Sequence, residues 1–228
     1  MPPIAGAMAP VTNQHLPEER HAMRLLIMGP PGSGKGTQAI RIAHQFRIPA
    51  ISTGDIFRSN VANATPLGRV AREYMDAGEY VPDQVTNVMV RDRLARADCE
   101  SGFLLDGYPR TLQQVDELDN ILAQTGTALE AVVELVVDQD VLMNRLLLRA
   151  GTEGRADDTV DVIRRRHELY TEQTAPLTTR YSERGVLHTV HGDGPIETVA
   201  QRISDVLGEV LAAESRSAAS ASPQRTSS

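Results

Sequence analysis

A glycine-rich stretch of ten residues, GPPGSGKGTQ at positions 29–38, constrains the fold of this chain more than any other feature. It follows a short apolar run, Arg24–Met28, that has the composition of a buried strand. It leads into Lys35–Phe46, where apolar residues recur at helical spacing. A G-x-x-x-x-G-K motif between a strand and a helix is typical of a phosphate-binding loop. The stretch therefore predicts an α/β protein that binds phosphate groups.

The same loop contains Lys35, the only lysine among the 23 lysine and arginine residues of the chain. The glycines permit backbone conformations that point successive N–H groups into one concavity, and the helix N-terminus adds a partial positive charge. The compact ammonium of lysine suits a position among phosphate oxygens better than the planar fork of arginine. Gly36 stands where serine or threonine is usual, and Thr37 follows with a hydroxyl near the metal that accompanies bound phosphates.

Short apolar runs alternate with helical segments, which predicts a parallel sheet of about five strands flanked by helices on both faces. The predicted strands are Arg24–Met28, Pro49–Ile51, Gly102–Leu105, Ala131–Val137 and Val186–Val190. The predicted helices are Lys35–Phe46, Asp55–Val61, Leu67–Ala77, Val85–Ala97, Thr111–Gln124, Val141–Arg149, Val160–Tyr170 and Ile196–Leu211.

The composition limits the cellular location and the binding partners that we expect for this chain. The formal net charge of −7 excludes a global basic surface for nucleic acid or an anionic membrane. The single cysteine, Cys99, rules out an intramolecular disulfide and a zinc site built from cysteines. No apolar run approaches the roughly 20 residues that span a bilayer, so we expect a cytoplasmic protein. Residues 1–22 and 214–228 show no apolar periodicity, and we predict that both are disordered tails.

Three stretches together, GPPGSGKGTQ, ISTGDIFR and GFLLDGYPRTLQQ, resemble the adenylate kinase family in order and spacing. The resemblance covers residues 23–211, and GRADDTVDVIRRR is similar to the bacterial form with a short lid. It implies a P-loop domain at 23–213, with a helical AMP-binding insertion at about 52–81 and a lid at about 150–158. It also implies a monomer that converts ATP and AMP into two ADP with Mg²⁺, without structural zinc, nucleic acid or membrane.

The resemblance implies a site for AMP. Arg58 and Arg110 are expected on its phosphate, and the amide of Gln114 can pair with the edge of adenine. Thr53 is expected near the adenine, although it could instead be the N-cap of the helix that follows, and both roles can coexist. The residues implied for AMP are Thr53, Arg58, Glu79, Tyr80, Val81, Gly107, Tyr108, Pro109, Arg110, Gln114, Arg155 and Arg166.

The resemblance also implies a site for ATP and for the transferring phosphoryl group. Asp106 is expected to hold the water shell of Mg²⁺. Asp157 and Asp158 could orient the lid arginines or cap the next helix, and the sequence does not decide between these roles. The catalytic residues implied are Lys35, Arg110, Arg145, Arg155 and Arg166. The residues implied for ATP are Gly32, Ser33, Gly34, Lys35, Gly36, Thr37, Arg149 and Gly194.

Other functions fit the sequence less well. A UMP or CMP kinase would share the architecture, but Thr53 and Gln114 match the adenylate members. A GTPase switch needs an Asn-Lys-x-Asp motif, and the only lysine lies in the phosphate loop. A nucleotide-binding scaffold without catalysis would be expected to lack some of the arginines, and none is missing. The six histidines and Cys99 show no triad spacing, which suits a reaction whose nucleophile is an ionised phosphate oxygen.

Overall fold

The computed structural model describes residues 22–152 and 159–221. Its centre is one sheet of five parallel strands in the order β2-β3-β1-β4-β5. This confirms the predicted fold class. The strands are β1 (Met23–Met28), β2 (Ala50–Ser52), β3 (Gly102–Asp106), β4 (Ala131–Val136) and β5 (Leu187–His191).

Helices cover both faces of the sheet, because the central strands β1, β3 and β4 are apolar on both sides and must be shielded from water on each. The α-helices are α1 (Lys35–Phe46), α2 (Thr53–Ala62), α3 (Pro66–Ala77), α4 (Asp83–Leu94), α5 (Leu112–Gln124), α6 (Gln139–Thr152), α7 (Val160–Leu169), α8 (Leu177–Glu183) and α9 (Ile196–Ala221). A 3₁₀ turn (Ala97–Cys99) precedes β3, and a π-helical turn (Tyr170–Thr174) follows α7.

Several predicted element boundaries differ from the structure, and one helix was missed. The helix predicted to end at Leu211 continues to Ala221, into the segment predicted as a tail, because alanine-rich sequence without glycine or proline favours helix. The helix predicted to end at Arg149 continues to Thr152 and so extends into the range 150–158 that was predicted as the lid. Helix α8 was missed, because its seven residues are too few to show a clear apolar period.

Two apolar clusters fill the space between sheet and helices. On one face, Leu25, Ile27 and Val133 pack with residues of α1 and α9. On the other face, Leu26 and Leu105 pack with residues of α4, α5 and α8. A third, small cluster of Phe57, Ala71 and Val81 holds α2 and α3 together. The segment predicted to bind AMP therefore has its own small core, separate from the sheet.

Two chain termini and one loop lie outside this description. The predicted tail at 1–22 lies almost wholly outside it, and so do Gly154, Arg155, Asp157 and Asp158 of the predicted lid. Helix α7 begins after Thr159, whose side chain accepts a hydrogen bond from the Val162 N–H. No helix within 22–152 or 159–221 is both long and apolar enough to cross a membrane.

Candidate active site

A cleft of about 1070 Å³ opens at the carboxyl ends of the central strands. Ligands of open α/β sheets bind at this edge, where strand order reverses. The cleft is bounded by the glycine-rich loop after β1, by α2, and by the turns after β3 and α3. It brings these predicted site residues together: Gly32, Gly34, Lys35, Gly36, Thr37, Thr53, Arg58, Glu79, Tyr80, Val81, Asp106, Gly107, Pro109, Arg110, Gln114, Arg145 and Arg166.

The glycine-rich loop needs its glycines for two physical reasons. Gly29, Gly32 and Gly34 all have φ between +85° and +143°, a region that L side chains rarely adopt. A Cβ on Gly29 would also lie 2.7 Å from the backbone oxygen of Leu135. Gly34 is the N-cap of α1 and has no side chain to cap the first N–H groups of the helix. Those donors therefore face the cleft, as an anion site requires.

Lys35 and Arg145 hold the loop from two sides. The Lys35 Nζ donates hydrogen bonds to the backbone oxygens of Gly29 at 2.7 Å and Pro30 at 2.9 Å. Arg145, on α6, donates to the backbone oxygen of Ser33 at 3.3 Å and to that of Gly192 at 3.1 Å. Arg145 thus connects the phosphate loop with the loop that follows β5.

Asp106 ends β3 beside the start of α1, and a Cβ on Gly36 would lie 3.6 Å from its Oδ2. Burial raises the pKa of this carboxyl above its usual range, although the nearby charges of Lys35 and Arg110 oppose the shift. The resemblance implied that this carboxylate holds the water shell of Mg²⁺, and that role stays a prediction. A buried carboxylate of this kind can interact with a cation that enters the cleft.

Arg110 is the most deeply placed cation of the site. Burial lowers its pKa; Tyr80 and Asp106 oppose the shift, and the like charges of Arg166 and Arg58 add to it. Its Nε donates to the backbone oxygen of Gly107 at 2.8 Å, and its guanidinium lies 4.8 Å from the ring centre of Tyr80. Three arginines that repel one another in a poorly solvated cleft make a site that favours an anion.

At the α2 end of the cleft, the structure tests one of the two roles that the sequence left open for Thr53. Ser52, not Thr53, is the N-cap of α2, since the Ser52 side chain accepts the Asp55 N–H at 3.2 Å. Thr53 is buried and donates its hydroxyl proton to the backbone oxygen of Gly107 at 2.8 Å. The N-cap interpretation of Thr53 is therefore wrong. Arg58 is salt-bridged to Asp55 at 2.5 Å within the same helix, and both residues border the cleft.

Gln114 lies at the start of α5 and is only 1% exposed, yet it borders the cleft. Its Oε1 accepts the backbone N–H of Arg110 at 2.7 Å, and its Nε2 donates to Oδ1 of Asp83 at 2.6 Å. The sequence predicted an amide directed at a base. The structure shows that the amide is also bound from behind by the protein.

Several predicted residues are not among the described residues that line the cleft. The Tyr108 side chain points into the core, where its hydroxyl donates to Asn87, so only its backbone can reach a ligand. Ser33 is buried beside Lys35, and Gly194 lies beyond the rim. The side chain of Arg149 and the whole of Arg155 lie outside the described residues.

Sequence reasoning missed two kinds of supporting residue. Thr174, in the π-helical turn, donates to the backbone oxygen of Arg110 at 3.0 Å and shares a 2.9 Å hydrogen bond with the Tyr80 hydroxyl. Arg165 was not among the predicted site residues, but its Nε donates to Glu79 at 2.6 Å and links α7 with the turn after α3. These partners lie 64 to 94 residues apart in the chain, so no local pattern could reveal them.

Within the described ranges, no group of three or more His, Cys, Asp or Glu side chains is arranged to hold a metal ion directly. The single described cysteine, Cys99, is buried between α4 and β3, and burial raises the pKa of its thiol. The cationic groups and the backbone N–H groups therefore dominate the chemistry of the cleft. They suit the binding and transfer of phosphoryl groups.

Comparison with known proteins agrees with this geometry. The family model described as adenylate kinase matches residues 27–186. An adenylate kinase of Nocardioides sp. is 63% identical over 185 residues, which cover 81% of this chain and 97% of that protein. An adenylate kinase of Pseudarthrobacter chlorophenolicus is 56% identical over 190 residues, covering 83% and 99%, and that of Kocuria rhizophila is 56% identical over 184 residues, covering 81% and 98%. The resemblance seen in the sequence is thus confirmed, and the chain belongs to the adenylate kinase family of nucleoside monophosphate kinases.

Proposed function

We propose that this enzyme transfers the γ-phosphoryl group of ATP to AMP, giving two ADP, by charge placement and lid closure and without a general base. One observation carries the proposal. Lys35 of the phosphate loop and the arginines Arg58, Arg110 and Arg166 line the same cleft as Asp106, and the charges of Lys35, Arg110 and Arg58 act on that carboxyl. A phosphate loop and a group of arginines in one cleft suit transfer of a phosphoryl group between two nucleotides.

The acceptor side is built for an ionised phosphate. AMP already carries an anionic oxygen, so the protein does not have to remove a proton before attack. Arg110 is preorganised by Gly107 and Tyr80, and its charge is poorly solvated. An anion that replaces the missing water gains more from this charge than it would at an exposed arginine.

The donor side holds the phosphates with backbone N–H groups and Lys35. The helix end at Gly34 offers its first-turn donors, and the Lys35 ammonium lies among the loop carbonyls within reach of the same space. Arg145 fixes the loop by its bonds to Ser33 and Gly192. We expect closure of the lid at about 150–158 to bring Arg155 to the transferring group and to exclude water.

Magnesium is the ion that the family implies, and the donors present fit it. Asp106 and Thr37 both border the cleft at the start of α1, and oxygen donors are what Mg²⁺ prefers. These two side chains would hold the ion, directly or through water. When bound with ATP, it neutralises negative charge on the phosphate oxygens.

A steady-state assay with ATP and a panel of nucleoside monophosphates tests the proposal. We expect kcat/KM for AMP to exceed that for CMP and UMP by about 10²-fold or more, because a site that hydrogen-bonds one base leaves polar groups unpaired with another. Arg110→Lys should lower kcat/KM for AMP by a similar factor, since lysine cannot reproduce the geometry of the fork. Arg180→Lys, on the surface beside Asp116, is the matched control and should change little. Comparable values for CMP and AMP would refute the assignment of AMP as acceptor.

A further inference from the structure

The amide of Gln114 is held at both ends by partners of fixed polarity. The Arg110 backbone N–H can only donate, and it faces Oε1 at 2.7 Å. The Asp83 carboxylate, when ionised, can only accept, and it faces Nε2 at 2.6 Å. If the amide were reversed, oxygen would face oxygen and N–H would face N–H. Its orientation is therefore set by the protein before any ligand binds.

Asp83 is itself held in place. Its Oδ2 accepts the hydroxyl proton of Thr111 at 2.7 Å, and Thr111 is the N-cap of α5, accepting the Gln114 N–H at 3.2 Å. Asp83 is the first residue of α4, so one carboxylate ties the start of α4 to the start of α5. Gln114 is among the described cleft-lining residues, whereas Asp83 lies behind it. Asp83 can therefore act on a ligand only through Gln114.

The fixed amide keeps one N–H and one oxygen lone pair for a ligand. Adenine presents a ring nitrogen that accepts, N1, beside an amine that donates, N6. Hypoxanthine, a purine of nearly the same size, presents the opposite pattern, with N1–H as donor and O6 as acceptor. An amide that cannot reverse matches the first base and opposes the second.

We propose that Asp83 is a positioning residue for base specificity, because it prevents the Gln114 amide from reversing and so makes the site select adenine over 6-oxopurines. The inference deepens the proposed function and rests on Gln114 contacting the base of the acceptor. A substitution that lets residue 83 donate as well as accept removes one of the two groups that fix the orientation of the Gln114 amide. The Arg110 N–H remains as the other, so selectivity falls without disappearing.

The test compares kcat/KM for AMP and for inosine monophosphate, with ATP saturating. The parent enzyme should prefer AMP by about 10⁴-fold, as sites built to hydrogen-bond their substrate do. Asp83→Asn, whose amide can face Gln114 with either end, should lower that preference about tenfold or more, while kcat for saturating AMP changes far less. Asp140→Asn removes an exposed first-turn acid from α6 and is the matched control, with the parent preference expected.

Two further variants, Asp83→Ser and Gln114→Leu, show whether a negative result concerns the contact between Gln114 and the base or only the positioning role of Asp83. Asp83→Ser suits a helix start and should show the same loss of preference if Asp83→Asn folds poorly. Gln114→Leu should remove most of the preference, and adding Asp83→Asn to it should lower the preference no further. If Gln114→Leu leaves the preference unchanged, Gln114 does not contact the base, and this inference falls with that contact. If Gln114→Leu removes the preference but both Asp83 variants keep it, or lower kcat/KM for the two nucleotides equally, the positioning role alone is refuted.

Discussion

Replacement of Lys35 by arginine separates the effect of side-chain shape from the effect of charge in the phosphate loop. Lys35 is the first residue of α1, and its ammonium lies 2.7 Å and 2.9 Å from two backbone oxygens of its own loop. A guanidinium carries the same charge but is larger and planar, and it needs its own hydrogen-bond geometry. The loop around it is restrained, because Gly29 and Gly32 have no room for even a Cβ. We therefore expect the arginine head group to miss the position from which lysine contacts the transferring phosphate.

The size of the effect follows from the loss of one charge-assisted contact that forms in the transition state. Such a donor contributes roughly 2.7–4 kcal/mol, and about 1.36 kcal/mol corresponds to a factor of ten in rate. Lys35→Arg should accordingly lower kcat by about 10²- to 10³-fold. The protein should still fold, because the residue is half-buried at a helix start, lies outside the apolar clusters, and is replaced by a side chain of similar helix propensity.

Two measurements check this prediction. Steady-state kcat and thermal melting of Lys35→Arg are compared with those of the parent and of Arg180→Lys, the surface control. Mild labelling with an amine-reactive reagent gives an independent readout, since the Lys35 side chain and the terminal α-amino group are the only primary amines that such a reagent modifies in this sequence. Bound ATP should protect Lys35 and preserve activity. Parent-like turnover of Lys35→Arg, or full activity after Lys35 is labelled, would refute the reasoning.

Three more predictions concern the walls of the cleft and the sheet. Asp106→Asn should lower activity yet raise Tm at pH 7, because burial raises the pKa of this carboxyl and its ionisation therefore costs stability. The difference in Tm should vanish below the ordinary pKa of 3.8, where the carboxyl is protonated in both the folded and the unfolded state. A gain in Tm that persists at that pH would contradict this cause. Tyr80→Phe loses the 2.9 Å hydrogen bond to Thr174 and should lower kcat/KM for AMP about threefold to tenfold. Tyr80→Leu also loses the ring over Arg110 and should lower kcat/KM further. Equal values for the two variants would exclude a contribution of the ring to AMP turnover. Gly102→Ala should destabilise the protein by about 2 kcal/mol or more in urea unfolding, because φ is +115° and the new Cβ would lie 2.2 Å from the Met23 backbone oxygen. An unchanged unfolding midpoint would show that β1 and β3 move apart without cost.

Local sequence determined the strand–loop–helix unit and most of the elements around it. Helix α1 has the predicted bounds, Lys35–Phe46, because glycine in the left-handed region starts it and the apolar period runs to its end. The β-branched run at β4 predicted a buried strand, and the structure has one at Ala131–Val136. These features depend on backbone geometry and burial within a few residues, which is the information that a local pattern carries. The site role of Asp106, at the end of β3, was implied by the family resemblance and not by its local sequence.

Tertiary structure alone decided how the site residues are held. Gln114 and Asp83 are 31 residues apart, and Thr174 and Arg110 are 64 apart, yet each pair meets at hydrogen-bond distance. Glu79, in the turn after α3, and Arg165, in α7, are 86 residues apart and form a contact that no local pattern predicts. Hydrogen bonds of this kind depend on which strand ends the folded sheet brings together, and the strand order β2-β3-β1-β4-β5 is a property of the whole chain. The residue types of the site were therefore predictable from the sequence, whereas their orientation is fixed by long-range packing.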